Sequence, residues 1–118
     1  MKLLAPMAGP LMAQADEDGR AKIRRALTGL LGNRAFRIRI TPVMWDVDGS
    51  PQMRRVVLLL DGLGREIPTP RGAHQLIVDA VWSVFPEQWL DVACEYGVSS
   101  GELRRYDAPV PSFLRAVA

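Results

Sequence analysis

The sequence predicts an α+β domain: a mostly antiparallel sheet of about four strands with two main helices, in the order α-β-β-(β)-α-β-β. Three observations predict it. Two segments space their apolar residues three and four apart, which gathers them on one side of a helix. Several short segments alternate apolar and polar residues, the period of a half-buried strand. Tight-turn pairs such as Asp48-Gly49 and Asp61-Gly62 separate those segments, and such pairs join antiparallel neighbours. With 118 residues, 48% of them hydrophobic, the chain suits one buried core and is short for two.

Residues 1–15 read as an apolar N-terminal arm ahead of a single α+β domain over residues 16–118. One lysine, an apolar stretch and the ending Ala13-Gln14-Ala15 imitate a secretory signal, but Pro6, Gly9 and Pro10 interrupt it. The expectation is an uncleaved arm. Its Leu3, Leu4, Met7, Leu11 and Met12 would pack on the domain's own core or on a neighbouring chain.

The first helix is expected over about 16–31. Ile23, Ala26, Leu27, Leu30 and Leu31 form one stripe, and Asp16, Glu17 and Asp18 precede Lys22, Arg24 and Arg25. That order complements the helix dipole. Gly19 is a candidate for delaying the start, and Gly32-Asn33 is a stop.

The next segment alternates as a strand, with Phe36, Ile38 and Ile40 opposite Arg37 and Arg39. At Thr41-Pro42 the apolar parity flips to Val43, Trp45 and Val47. A one-residue slip moves every later side chain to the other face, and proline suits an edge or a bulge. The expected solution is a bulge or bend that keeps Val43, Trp45 and Val47 against the core. The alternative is a straight strand whose two ends bury opposite faces. After the Asp48-Gly49 turn, Val56 to Leu60 read as a central strand, and residues 65–68 as a short edge strand. A second helix is expected from a Thr69 cap and Pro70 to about Phe85, where Pro86 halts it. Its main stripe is Ala73, Leu76, Ile77, Ala80, Val81 and Val84. Trp82 lies off that stripe with Val78 and Gln75, as a second apolar surface. Residues 89–97 alternate again, with Leu90, Val92, Cys94 and Tyr96 inward and Trp89 and Glu95 outward. Residues 103–106 pair back as a last strand, ahead of a proline-marked tail.

The chemistry-bearing residues are sparse. Asp61 to Glu66 holds two glycines but lacks a phosphate-loop lysine and a following helix, so it reads as a turn. His74 has no Ser, Cys or second His placed to complete a catalytic site. Asp46, Asp48 and Asp61 could meet at one end of a hairpin, without calcium-loop spacing. Cys94, the one cysteine, is expected as a buried thiol. No cofactor and no metal are expected. The lone cysteine suits a reducing cytoplasm, and no apolar run is long enough for a membrane span.

Charge and aromatics point to binding instead. The basic residues comprise 13 Arg and only Lys2 and Lys22, with a net charge of +2. Much of the arginine excess, with Ala, Gly, Pro and Val, suits a GC-rich bacterial genome. The first functional expectation is a small non-catalytic binding or assembly module acting through protein–protein contacts as a homo-oligomer. Leu3, Leu4, Met7, Val78, Trp82 and Trp89 are its partner-binding candidates, because aromatic anchors dominate interfaces. The second is a DNA- or RNA-binding accessory protein using an arginine-lined sheet face: Arg34, Arg37, Arg39, Arg54, Arg55, Arg104 and Arg105. Glu66, Asp91, Glu95 and Glu102 could neutralise that face by cross-strand pairing. An enzyme with its site between chains is a third, weaker option.

Overall fold

The computed structural model describes residue 7 and residues 9–32, 34–88 and 92–106. Two helices and six strands alternate along them: β1 (Leu11–Gln14), α1 (Glu17–Leu31), β2 (Arg37–Val47), β3 (Ser50–Leu60), β4 (Glu66–Ile67), α2 (Ala73–Val84), β5 (Cys94–Gly97) and β6 (Glu102–Arg105). The strands form one antiparallel sheet in the order β1-β6-β5-β2-β3-β4. The α+β class and the antiparallel pairing stand as expected, with six strands in place of about four. The added strand at the edge is β1, from the segment read as an arm. It pairs with β6, and Met12 and Ala13 pack against the core.

Helix α1 begins where its sequence says. The Asp16 carboxylate accepts the Gly19 N–H at 2.7 Å, satisfying one of the orphan donors of the first turn. Gly19 does not delay the start. Its use is close approach: a Cβ there would lie 2.7 Å from Val84 Cγ1 of α2. Ile23, Leu27 and Leu31 are the buried stripe of α1.

The hairpin of β2 and β3 departs from expectation. Its register runs from Arg37↔Leu60 to Val47↔Ser50 without a slip, so there is no bulge at Thr41-Pro42. Asp48 and Gly49 both have positive φ, 50° and 81°, the signature of a two-residue turn whose twist matches the strands. In such a hairpin Val47 and Ser50 exchange hydrogen bonds, and every second pair after them does the same. Residues 42, 44 and 46 of β2 and 51, 53 and 55 of β3 therefore point their backbone groups away from each other. Pro42 and Pro51 both occupy such outward positions, where a missing N–H costs the ladder nothing. That is why the strand runs straight through its proline. The parity flip then puts Val43 and Trp45 on the face of Arg37 and Arg39, away from the helices.

Helix α2 starts later than expected. Thr69 and Pro70 belong to a turn in which the Ala73 N–H donates to the Pro70 carbonyl at 3.0 Å. Gly72, in the left-handed conformation, precedes the helix without a side-chain cap. The buried arc is Ala73, Ile77, Val78 and Val81, extended by Phe85. Val78, expected beside Trp82 on a partner surface, is in the core instead, and Leu76 is 58% exposed. The helix packs on α1 as well as on the sheet, so it buries a wider arc than one stripe, turned toward Val78.

Both helices cover one face of the sheet. Beneath them a row of side chains crosses all six strands: Ile67, Leu59, Ile38, Tyr96, Leu103 and Ala13, in register. Cys94 is buried on this face as expected, and burial pushes its thiol up to about 11, which makes it a poor nucleophile at neutral pH. Tyr96 meets Phe85 edge-on, ring centroids 5.9 Å apart. Its buried hydroxyl has no hydrogen-bond partner among the described residues. An unsatisfied buried hydroxyl costs about 1–3 kcal/mol. Tyr96→Phe is therefore expected to leave stability unchanged or raise it by about 1 kcal/mol, read from the urea midpoint at constant m. A clear loss of stability would show the hydroxyl to be bonded.

Candidate protein interface

Two surfaces carry the candidate residues. The first is the sheet face away from the helices. Here Leu11, Arg104, Glu95, Arg39 and Leu58 form a row across five strands. Arg39 Nε donates to Glu95 Oε2 at 2.7 Å, and Arg37 lies 3.7 Å from the same oxygen. The Arg39 guanidinium also sits 4.5 Å over the Tyr106 ring. Arg104 donates to Glu102 at 2.7 Å and to the Gly9 carbonyl at 2.9 Å. Burial lowers the Arg37 pKa from its ordinary value; the Glu95 charge opposes this and the Arg39 charge adds to it. Cross-strand neutralisation by Glu95 is thus present. Glu102 instead pairs two residues along its own strand.

The remaining arginines are dispersed. Arg54, in register with Val43, shares the face of Arg39 but stands four residues further along, roughly 13 Å at strand spacing. Arg55, in register with Pro42, is on the helix side. Arg105, in register with Cys94, is on that side too. Arg34 donates from Nε to the Leu31 carbonyl at 3.1 Å and so closes α1. The expected gathering of Arg37 and Arg39 with Arg54 or Arg55 does not occur, because the strands are long and the pairs lie at different heights.

The second surface is the outer half of the hairpin. Strand β5 pairs only with residues 37–40 of β2, and β4 only with Leu59 and Leu60 of β3. Residues 41–56 therefore continue beyond the described sheet as a two-stranded ribbon. Met44, Trp45, Met53 and Val56 are all exposed on it, Met44 by 54% and Trp45 by 44%. By alternation Trp45 and Val56 lie on one face, Met44 and Met53 on the other. Trp82 of α2, 46% exposed, lies alongside, with the Arg55 guanidinium 6.0 Å from its ring centroid. A cleft of about 710 Å³ between β3 and the start of α2 is lined by Trp45, Met53, Arg54, Val56 and His74, among others.

Of the other candidates, Met7 packs against Gly97 of β5. Leu3, Leu4 and Trp89 lie outside the described residues. Asp46 and Asp48 stand at the hairpin tip, and Asp61 beyond the far end of the 11-residue β3, so the three do not meet. Asp61 instead accepts the backbone N–H groups of Leu63 and Arg65 and the Arg65 side chain. The Arg65 backbone bond leads in holding its carboxyl below the usual range. Among the described residues there is no cluster of three or more potential metal ligands, and no helix long and apolar enough to cross a membrane.

Met44, Trp45 and Met53 are exposed apolar residues of the ribbon that sequence reasoning did not single out as candidates. The signal was available. A two-residue turn forces two strands of equal length, and a straight β2 puts Trp45 on the face of Arg37 and Arg39. Comparison with protein-family models, with curated proteins and with solved structures gives no match.

Proposed function

We propose that this is a non-catalytic binding module that works through protein–protein contacts, with the ribbon and the Trp82 flank of α2 as its contact surface. The observation that carries the reading is the ribbon itself. An isolated two-stranded hairpin is marginal in water, yet this one exposes two methionines, a tryptophan and a valine on its two faces. Large apolar side chains exposed this close together on a marginal element mark an interaction site, and Trp and Met are enriched at interfaces. A second copy of the chain is the simplest partner, because a twofold contact needs one self-complementary surface.

Trp82 is the anchor to test. Trp82→Ala is expected to weaken self-association at least roughly tenfold while leaving the melting transition of the domain in place, since half of the ring is already in water. Light scattering and sedimentation of both proteins across concentration read this out. A wild-type chain that stays monomeric at its solubility limit rules out self-association, and a variant that unfolds before dissociating removes Trp82 as the anchor.

Nucleic-acid binding ranks second. Arg39 and Arg104 hold Glu95 and Glu102 at 2.7 Å, and Arg37 lies 3.7 Å from Glu95, so phosphate would have to displace carboxylate contacts to reach them.

A further inference from the structure

We infer that a second copy of this chain adds to the free edge of β2, antiparallel over residues 43–47, with the two Trp45 side chains facing each other across a twofold axis. This deepens the protein-contact reading above and rests on it.

Among the described residues nothing pairs with this edge. Strand β5 stops at the level of Ile40, and no described strand lies beside Val43 to Val47 on that side. Hairpin geometry aims the backbone groups of Met44 and Asp46 outward there. An edge of this kind is a template for another strand, and strand addition is a common recognition mode.

The chemistry of the two ribbon edges selects the occupant. On β3, any twofold pairing centred near Arg54 or Arg55 sets arginine against arginine, and like charges directly opposite are destabilising. Pairing centred on Met53 instead sets Arg55 against Pro51, which has no donor. The β3 edge is therefore guarded against its own copy. The β2 edge is not. Centred on Trp45, the register sets Met44 against the partner's Asp46, and Val43 against the partner's Val47. Both outward residues then find outward residues, giving four interchain hydrogen bonds. Pro42 falls outside the paired segment. No like charges are directly opposite. The central pair is non-hydrogen-bonded, the type in which side chains come closest, and an aromatic pair there is among the favourable cross-strand contacts. The result is a continuous four-stranded ribbon, β3-β2 of one copy joined to β2-β3 of the other. This removes the marginal two-stranded state and covers Met44 and Trp45 from the side.

The test uses the full chain with two variants. Met44→Pro removes an N–H that points away from β3, the direction the Pro42 nitrogen already takes, so the hairpin ladder is untouched. It is expected to weaken the dimer at least roughly tenfold with an unchanged melting curve of the monomer. Trp45→Cys places two thiols across the axis at a spacing a disulfide spans. With diamide as oxidant it is expected to give a covalent dimer, whereas Val43→Cys is not, and buried Cys94 does not compete. Hydrogen exchange adds an independent readout: the Met44 and Asp46 amides gain protection as concentration rises. Three results overturn the inference: a wild-type monomer at all concentrations, a dimer indifferent to Met44→Pro, or cross-linking that favours Val43→Cys. A dimer broken by Trp82→Ala but indifferent to Met44→Pro would leave the protein-contact reading standing and move the axis to α2. Failure of both variants to weaken a wild-type dimer would remove both.

Discussion

Glu95→Ala is expected to cost about 3–5 kcal/mol of folding stability at neutral pH, the cost of breaking a buried ion pair from one side. The Glu95 side chain is only 5% exposed and serves two arginines at once, Arg39 at 2.7 Å and Arg37 at 3.7 Å. Without it, Arg37 and Arg39 lose the carboxylate they share, in a site where burial already works against the Arg37 charge. A loss of this size is a large part of the 5–15 kcal/mol that holds a typical domain together. Glu95→Gln should cost less, because its amide oxygen still accepts from Arg39 Nε. A double-mutant cycle between Arg39→Met and Glu95→Met should return a coupling above about 1 kcal/mol. Chemical denaturation measures all of these. A loss below about 1 kcal/mol for Glu95→Ala would place the cluster in the class of solvated surface pairs. The arginine face would then be open to another role.

Leu59→Ala is expected to cost about 3–5 kcal/mol. Leu59 is fully buried and sits in the row that crosses all six strands, between Ile67 and Ile38. Truncation leaves a cavity that the paired backbones on both sides cannot close. Val56→Ala, three residues along the same strand but on the exposed ribbon, should cost under about 1 kcal/mol. Together the two urea titrations locate the boundary between core and ribbon. Similar losses at both positions would mean that the distal hairpin is as well packed as its base, leaving no uncovered apolar ribbon for a partner to bury.

The helices, the hairpin turns and the class of the fold were legible because each is set by local chemistry. Asp16 caps α1, Asp48-Gly49 dictates a two-residue turn, and Pro86 follows the end of α2. The buried thiol of Cys94 and the pairing of Arg39 with Glu95 also follow from alternation along single strands, once those strands are neighbours. What sequence could not decide was set by contacts between distant segments. Strand β1 has little alternation of its own and exists because β6 lies beside it. Helix α2 has two apolar flanks, and only its packing on both α1 and the sheet chose Val78 over Leu76 for burial. The parity flip at Thr41-Pro42 admitted a bulge or a straight strand. The outward direction of the Pro42 and Pro51 nitrogens, fixed by register with the turn, chose the straight one. Trp45 then came out exposed rather than in the core, because a straight β2 puts it on the face away from the helices. Period and turn chemistry act over a few residues and are written in the sequence; which faces are left uncovered depends on how far the neighbouring strands extend, and only the assembled sheet determines that.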